Sequence, residues 1–481
     1  MAHPQHVMPL TLPDGEIRPV VRAPAIERWS WALYDFANTI FSMNIATLYF
    51  SVWLVSDLGS TDLVYAVANS AASILVVAAI PVLGAISDVR RRRKPWVVWF
   101  TVASCLGCAA IGILGQTTLP LVGQGIAHPA VVPAGWRAST GSLLPVLIAF
   151  VIANFAYQGA QPFYNAMMPE LVPVEEQGRL SGFGVAVGYV GSIVGVALVV
   201  PFFAGGLPGV VTFSSGVNNV LHTIMPFTAN GGRVATFFPT GVLFLLFSLP
   251  LFLICRDHNT APRGTRVNVR KAFRDVAQTV SASREHPGAL RFIITSLVYQ
   301  DAIGTIVTFM TLYAVRAVGF DKGKEVTLFM VLTIPAIFGS YFFGHLVDRI
   351  GAKRSLNITL WIWVVLLGAM MAVTTQRAFW LVGLAIGLNF GGVNAIERPL
   401  LLSLIPDVQA GRYFSLMLLS ARVAAVIGPL LWGLTVWALE GPIGTSLAYR
   451  AAVLVVAFMF VIAIWVLRGV PDRRPQRLRA A

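Results

Sequence analysis

Charge is scarce in this sequence: 12% of its 481 residues are charged and 56% are hydrophobic. A soluble domain covers itself with roughly twice that charged share, so a soluble enzyme is excluded. Cysteine is nearly absent as well, and Cys105, Cys108 and Cys255 all fall inside apolar runs. The first two have the spacing of half a zinc site, but no second pair completes it, and no metal is expected. His128, His222, His258, His286 and His345 are scattered without metal-ligand spacing, which argues against a polytopic membrane enzyme. No phosphate-binding glycine loop is present, so neither a nucleotide nor any other cofactor is expected. The first thirty residues carry Pro4, Pro9, Pro13 and Pro24 and lack the apolar stretch of a secretory signal. The first span is therefore expected to target the chain.

What the sequence does have is long apolar blocks. Ala66 to Ile86, Trp96 to Gly115 and Ala451 to Leu467 run without a charge, each close to the ~20 residues that cross a bilayer as a helix. A membrane barrel would show alternating segments of about ten residues instead. An all-α membrane protein follows, with spans expected at 28–55, 64–87, 96–116, 143–168, 180–203, 235–255, 290–316, 325–347, 355–375, 379–404, 413–437 and 447–468.

The net charge of +14 would suit nucleic acid, but its distribution is a topology signal. With twelve spans both termini share one side. On that side lie Arg18, Arg22, Arg28, the run Arg90 to Lys94, the central linker, Arg349, Lys353, Arg354 and the arginines beyond Arg468. The positive-inside bias makes this side cytoplasmic, with attraction to anionic membrane lipids and no nucleic-acid partner. An Ala-, Gly-, Val- and Arg-rich composition leans toward a bacterial inner membrane. The expected organisation is a cytoplasmic segment 1–27, a six-helix bundle 28–255, a linker 256–289, a second bundle 290–468 and a basic tail 469–481. Within the linker Val269, Phe273, Val276 and Val280 recur at helical spacing beside Arg270, Lys271 and Arg274. That pattern fits either an amphipathic surface helix or a solvated linker.

The two halves repeat. Gly84-x-x-x-Asp88 followed by Arg91, Arg92, Arg93 and Lys94 matches Gly344-x-x-x-Asp348 followed by Arg349, Lys353 and Arg354. Pro162-x6-Pro169-Glu170 matches Pro399-x6-Pro406-Asp407, and each is followed by a Gly-Arg pair, Gly178-Arg179 and Gly411-Arg412. Asp35, Thr39 and Ser42 match Asp301, Thr305 and Thr308, each trio a single polar stripe on a helix. Three matches in register with the spans describe two six-helix pseudo-repeats, with a site near the midplane between them.

These motifs resemble the major facilitator superfamily over essentially the whole chain. Trp31-Ala32-Leu33-Tyr34-Asp35-Phe36-Ala37-Asn38 and Tyr299-Gln300-Asp301-x-x-Gly304-Thr305-Ile306 resemble, more narrowly, the autophagy-related vacuolar effluxers of fungi and their bacterial relatives. The resemblance implies alternating access and an amino-acid-like substrate. It departs from the branch pattern at Ala302 and Thr39.

Charges at the bilayer centre cost at least about 2.5 kcal/mol and need a reason. Asp35, Asp301, Glu397, Arg398 and Arg422 are the clear cases, and are candidates for proton coupling or substrate binding. Both aspartates lie about ten residues from the starts of their helices, roughly 15 Å deep, and could instead be structural. An arginine there can clamp a carboxylate, or Glu397 and Arg422 can neutralise each other. Weaker candidates for substrate contact are Tyr34, Asn38, Tyr157, Gln158, Gln161, Tyr164, Tyr299 and Asn394, with hydrogen bonding between helices as the alternative. By the resemblance, Asp88, Arg92, Arg179, Asp348 and Arg412 gate the cytoplasmic side, the carboxylates pairing with helix starts of the other half. Gly184, Gly188, Gly191 and Gly195 are expected to allow close helix packing, and Gly428-Pro429 to form a hinge. The expected function is a monomeric secondary active transporter of a small polar or zwitterionic solute, driven by protons. The rival readings are a lysophospholipid translocator and an inactive sensor or scaffold on the same fold.

Overall fold

The computed structural model describes residues 9–11, 17–19, 22–58, 60, 62–90, 92–117, 140–207, 211–228, 232–258, 287–319, 325–406, 409–424 and 427–472. The expected amphipathic helix and most of the basic tail lie outside them, as do the side chains of Asp88 and Arg422.

Helices dominate. In the first half they are α1 Ala25–Phe41, α2 Asp62–Arg90, α3 Lys94–Thr117, α4 Thr140–Leu171, α5 Gln177–Ala204 and α6 Phe237–Ile254. In the second half they are α7 Pro287–Tyr313, α8 Glu325–Ile350, α9 Ala352–Ala372, α10 Gln376–Leu404, α11 Ala410–Ala424 with Ile427–Ile443, and α12 Thr445–Arg468. Helical segments thus fall at each expected position. Among the described residues eight are long and apolar enough to cross a membrane by themselves. The chain is an integral membrane protein. Among the described residues, strand is confined to two short antiparallel pairings, Pro9–Thr11 with Ile17–Pro19 and Gly206–Leu207 with Val211–Thr212. The segment between α5 and α6 also contains a short helix, Ser215–Ile224, whose cap residue Ser214 accepts from Val217 N–H.

The first helix of each half ends in a wide turn. α1 runs on through π-helix at Ser42–Tyr49 and Trp53–Asp57, and α7 through π-helix at Ala314–Val318. Thr47 Oγ1 donates to the Ser42 carbonyl five residues back, satisfying one acceptor of the widened turn. Proline interrupts the ladder at Pro162 in α4 and Pro399 in α10. Neighbouring helices make such breaks tolerable in lipid.

The packing repeats with the sequence. α1 packs on α5 and α6 as α7 packs on α11 and α12; α3 packs on α4 and α6 as α9 packs on α10 and α12. Between the bundles, α5 crosses α8 and α10 while the first piece of α11 crosses α2 and α4. The α5–α8 crossing is backbone on backbone. A Cβ on Gly178 would stand 2.6 Å from the Gly344 carbonyl, and one on Gly344 would stand 2.9 Å from the Gly182 Cα. Glycine is the residue that permits this approach.

Candidate functional site

A cavity of about 350 Å³ lies between the bundles, walled by α1, α4, α5, α10 and the first piece of α11. At its floor Arg398 of α10 reaches across the interface to Asp35 of α1. Nη1 donates to Oδ2 at 2.8 Å and Nη2 to Oδ1 at 3.0 Å, a bidentate pair with 14% and 7% of the two side chains exposed. The guanidinium also lies 5.5 Å from the ring centres of both Trp31 and Tyr164. Those rings stack on each other at 4.7 Å. Trp31 Nε1 donates to the Tyr164 carbonyl and the Tyr164 hydroxyl to the Trp31 carbonyl, which clamps α1 to α4. Gly184 of α5 completes the seat: a Cβ there would stand 2.7 Å from Asp35 Oδ2 and 3.0 Å from the Trp31 ring.

Glu397 is held differently. Its Oε1 accepts from the Tyr299 hydroxyl at 2.7 Å, from Ser296 Oγ at 3.3 Å and from Gln300 Nε2, all on α7. Adjacent residues on α10 therefore serve opposite sides, Arg398 the other bundle and Glu397 its own. Arg422, the alternative partner of Glu397, lies outside the residues whose side chains are described.

Asp301 faces away from the cavity. Its Oδ2 accepts from Gly428 N–H at 2.7 Å, at the start of the second piece of α11, and its Oδ1 is buried without a hydrogen-bond partner. Thr305 Oγ1 donates to the Asp301 carbonyl at 2.8 Å. Residues 425 and 426, just before the expected hinge at Gly428-Pro429, lie outside the described residues, and the carboxylate of Asp301 stands on the Gly428 amide of its own bundle.

The weaker candidates separate into two groups. Asn38, Tyr157, Gln161 and Asn394 line the cavity with Asn165 and Tyr189. Asn394 Nδ2 donates to the Tyr189 hydroxyl at 2.8 Å, a second bridge between the bundles. Asn38 Oδ1 and Asn165 Oδ1 are buried without a partner. Tyr34, Tyr164 and Tyr299 are engaged between helices, and Gln158 bonds within α4. Tyr34 shares a hydrogen bond with Thr101 at 2.7 Å, and Gln158 donates to Asn154, which donates to Asn69. Sequence reasoning passed over the roles of Trp31, Gly184, Tyr189, Ser296 and Gln300. Trp31 and Gln300 sit inside the two branch motifs, adjacent in pattern to the aspartates, and that was the available signal.

Beyond Thr39 and Tyr189 a second cavity of about 240 Å³ adjoins the first, walled by Met43, Ile306, Val307, Met310, Trp363 and Phe390 among others. It is mostly apolar. Along α1 it lies seven or eight residues past Asp35, about 10 Å further from the linker end.

At the linker end Asp348 of α8 accepts from Gly178 N–H at 2.9 Å and Arg179 N–H at 3.0 Å, with Arg179 Nε at 3.2 Å. This places the carboxylate on the first amides of α5 in the other bundle. Arg412 stands on the first piece of α11, which packs on α2; Arg92 is half-buried in the α2–α3 turn. Next to it Arg93 pairs with Glu170 of α4 at 2.8 Å, and Asp257 Oδ1 accepts from Arg93 N–H and Lys94 N–H. Burial pushes the Asp257 carboxyl up and the two amides oppose that shift.

Comparisons with known proteins agree with this fold. The profile of the family described as "Vacuole effluxer Atg22 like" matches residues 60–474. An uncharacterised MFS-type transporter of Bacillus subtilis, YxiO, is 24% identical over 450 residues, 92% of this chain and 94% of its own. The multidrug resistance protein MdtG of Klebsiella pneumoniae is 30% identical over 231 residues, 47% of this chain and 52% of its own. Among solved structures, the transporter FucP in the outward conformation superposes with a TM-score of 0.65 at 13% identity, over 93% of this chain and 98% of its own. A bacterial homologue of ferroportin in the outward-facing state gives 0.63 at 15% identity, over 93% and 99%. At these identities the structures establish the fold, that of the major facilitator superfamily.

Proposed function

The chain belongs to the Atg22-like vacuole effluxer family within the major facilitator superfamily, and from that premise we propose that it is a secondary active transporter of a small zwitterionic, amino-acid-like solute. Transport itself is the function class its relatives share. The observation that carries the substrate reading is the Asp35–Arg398 pair. A buried carboxylate and a buried guanidinium already satisfy one another across the bundle interface. A zwitterion offers a carboxylate to Arg398 and an ammonium to Asp35, so it can replace both halves of the pair without leaving a charge unmatched. Splitting the pair unties one bridge between the bundles, and that couples occupancy to rocking. Asp35 is the proton carrier in this scheme after the substrate has left and before the pair with Arg398 re-forms. The linker end is cytoplasmic in a bacterial inner membrane, and its closure by Asp348 corresponds to an outward-open stage.

A second reading, translocation of a lysophospholipid, draws support from the adjoining apolar cavity, which an acyl chain would enter. Reconstitution into proteoliposomes under an imposed pH gradient tests both. Movement of an amino acid with the gradient, lost in Asp35→Asn, upholds the first reading. Movement of lysophospholipid alone upholds the second. Transport that ignores the gradient and survives Asp35→Asn overturns the coupling scheme.

A further inference from the structure

Away from the central cavity, a groove of about 530 Å³ runs between α9 and α12 at the linker end. Its two walls are segments long and apolar enough to cross a membrane, so its outer face meets lipid. The groove is graded along its length. Lys353, Arg354 and Arg468 stand at the helix ends, while Ile358, Trp361 and Ile464 form the wall further in. From Arg354 to Trp361 is seven residues, about 10 Å along the helix. Ile358 and Trp361 expose 42% and 46% of their surface, so the apolar wall is open to an occupant.

We propose that this groove is a binding site for an anionic phospholipid, with its phosphate at Lys353, Arg354 and Arg468 and an acyl chain along Ile358 and Trp361. Three observations support it. First, three cations meet a single carboxylate, Asp472, in the lining. Basic pockets between membrane helices are headgroup sites for this reason. Second, the internal ties of these cations leave donors over. Lys353 Nζ gives one contact to the Arg468 carbonyl at 3.3 Å, and Arg354 Nε pairs with Asp472 at 3.3 Å. That pair is half-exposed on the arginine side and yields readily to a phosphodiester. Third, the gradient from charge to hydrocarbon over about 10 Å matches the phosphate-to-chain dimension of a lipid at the bilayer boundary. A soluble anion has no use for the apolar wall. The groove is also separate from Asp35 and Arg398, so it is not the transport path.

The turn that builds the site is short. α8 ends at Ile350 and α9 begins at Ala352, joined by Gly351 alone at φ 89°, a left-handed conformation that favours glycine. It fixes Lys353 and Arg354 at the first turn of α9. A lipid bound there bridges α9 to the end of α12, and would brace the second bundle at the end where it docks on the first.

The test is retention of lipid by the full-length protein in detergent, read by native mass spectrometry against added dioleoylphosphatidylglycerol and dioleoylphosphatidylethanolamine. The wild type is expected to hold phosphatidylglycerol at least about 10-fold more tightly than phosphatidylethanolamine. The Lys353→Ala/Arg354→Ala/Arg468→Ala variant is expected to lose that preference, and Asp472→Asn to strengthen it. Arg377→Ala, on the opposite side of the membrane, serves as the control and should change nothing. Equal retention of both lipids by the wild type, or undiminished preference in the triple variant, overturns the proposal. Displacement of the lipid by millimolar inorganic phosphate also overturns it, since that marks a soluble-anion site. Trp361→Ala, which keeps every charge, separates loss of the lipid from loss of fold: it should weaken retention while the unfolding temperature in lipid-free detergent stays unchanged.

Discussion

Asp35 and Asp301 hold the same position in the two repeats, each opening a stripe with a hydroxyl residue four positions on, yet the structure uses them for opposite purposes. Asp35 looks outward from its bundle and takes both nitrogens of Arg398 from the other half. Asp301 looks inward and takes a backbone amide, Gly428 N–H, from its own half. The difference lies in the helix each packs against. α5 is continuous, and its glycines let α1 approach until Gly191 touches Phe36 and Gly195 touches Ile40. In the second half, the amide that Asp301 takes belongs to Gly428, in the segment Ile427–Ile443 of α11. A repeated sequence motif therefore gives one carboxylate paired across the bundle interface and one bonded to backbone within its own bundle.

The sharpest way to break that comparison is to neutralise each aspartate in turn. Asp35→Asn leaves Arg398 buried without its counter-charge, a change of about 3 to 5 kcal/mol for buried pairs. Gradient-driven transport is expected to fall by about 100-fold or more, the rate equivalent of about 3 kcal/mol. The double variant Asp35→Asn/Arg398→Gln should recover thermal stability, since both buried charges are gone, but not transport. Recovery of transport in the double variant would show that the pair is scaffolding. Gly184→Ala attacks the same seat without touching a charge. Its methyl group would press on Asp35 Oδ2 and Trp31, and overpacking of this kind costs about 1 to 3 kcal/mol. Transport should drop by about 10-fold with the fold retained.

Asp301→Asn should do much less to transport. An amide oxygen still accepts from Gly428, so the loss is the charge on that hydrogen bond, about 1 kcal/mol. The expected outcome is a lower unfolding temperature with uptake within about threefold of wild type. A loss of coupling as deep as that of Asp35→Asn would overturn the distinction between the two carboxylates and make Asp301 a proton site. Its partnerless Oδ1 is the atom such a result would point to.

These contrasts also mark where the sequence was legible. Helix positions follow from the length of apolar runs, because lipid imposes one length and one hydrogen-bonding solution. The repeat follows from residues such as Gly178, Gly344 and Asp348, whose chemistry is tied to a single local geometry. The partners of buried charges do not follow. Arg398 is paired with Asp35 across 363 positions, and nothing in either local pattern selects that partner over Glu397, Asp301 or a ligand. Nor could a polar stripe on α4 tell which residues face the cavity. Tyr157 and Gln161 line it while Gln158 turns to Asn154, a distinction set by how α4 is rotated against α2 and α11.

The smallest effects test the linker end, where the same logic reads in reverse. Arg179 and Asp348 form an ion pair, but the arginine side chain is 55% exposed and the aspartate 6%. Most of what Asp348 does is therefore accept the amides of Gly178 and Arg179, and a neighbouring exposed charge adds at most about 1 kcal/mol. Arg179→Ala should leave transport nearly unchanged and shift the unfolding temperature by a degree or two at most. Asp348→Ala removes the acceptor of two amides at once and should loosen the α5–α8 crossing. Labelling of a cysteine introduced at Ser340, which packs on Gly182, reads that loosening directly: faster in Asp348→Ala, unchanged in Arg179→Ala. Equal labelling rates in the two variants would mean that the ion pair and not the helix cap holds the bundles together. The contrast between a carboxylate bound to a side-chain charge and one bound to backbone would then fail at the linker end while it stood at the cavity.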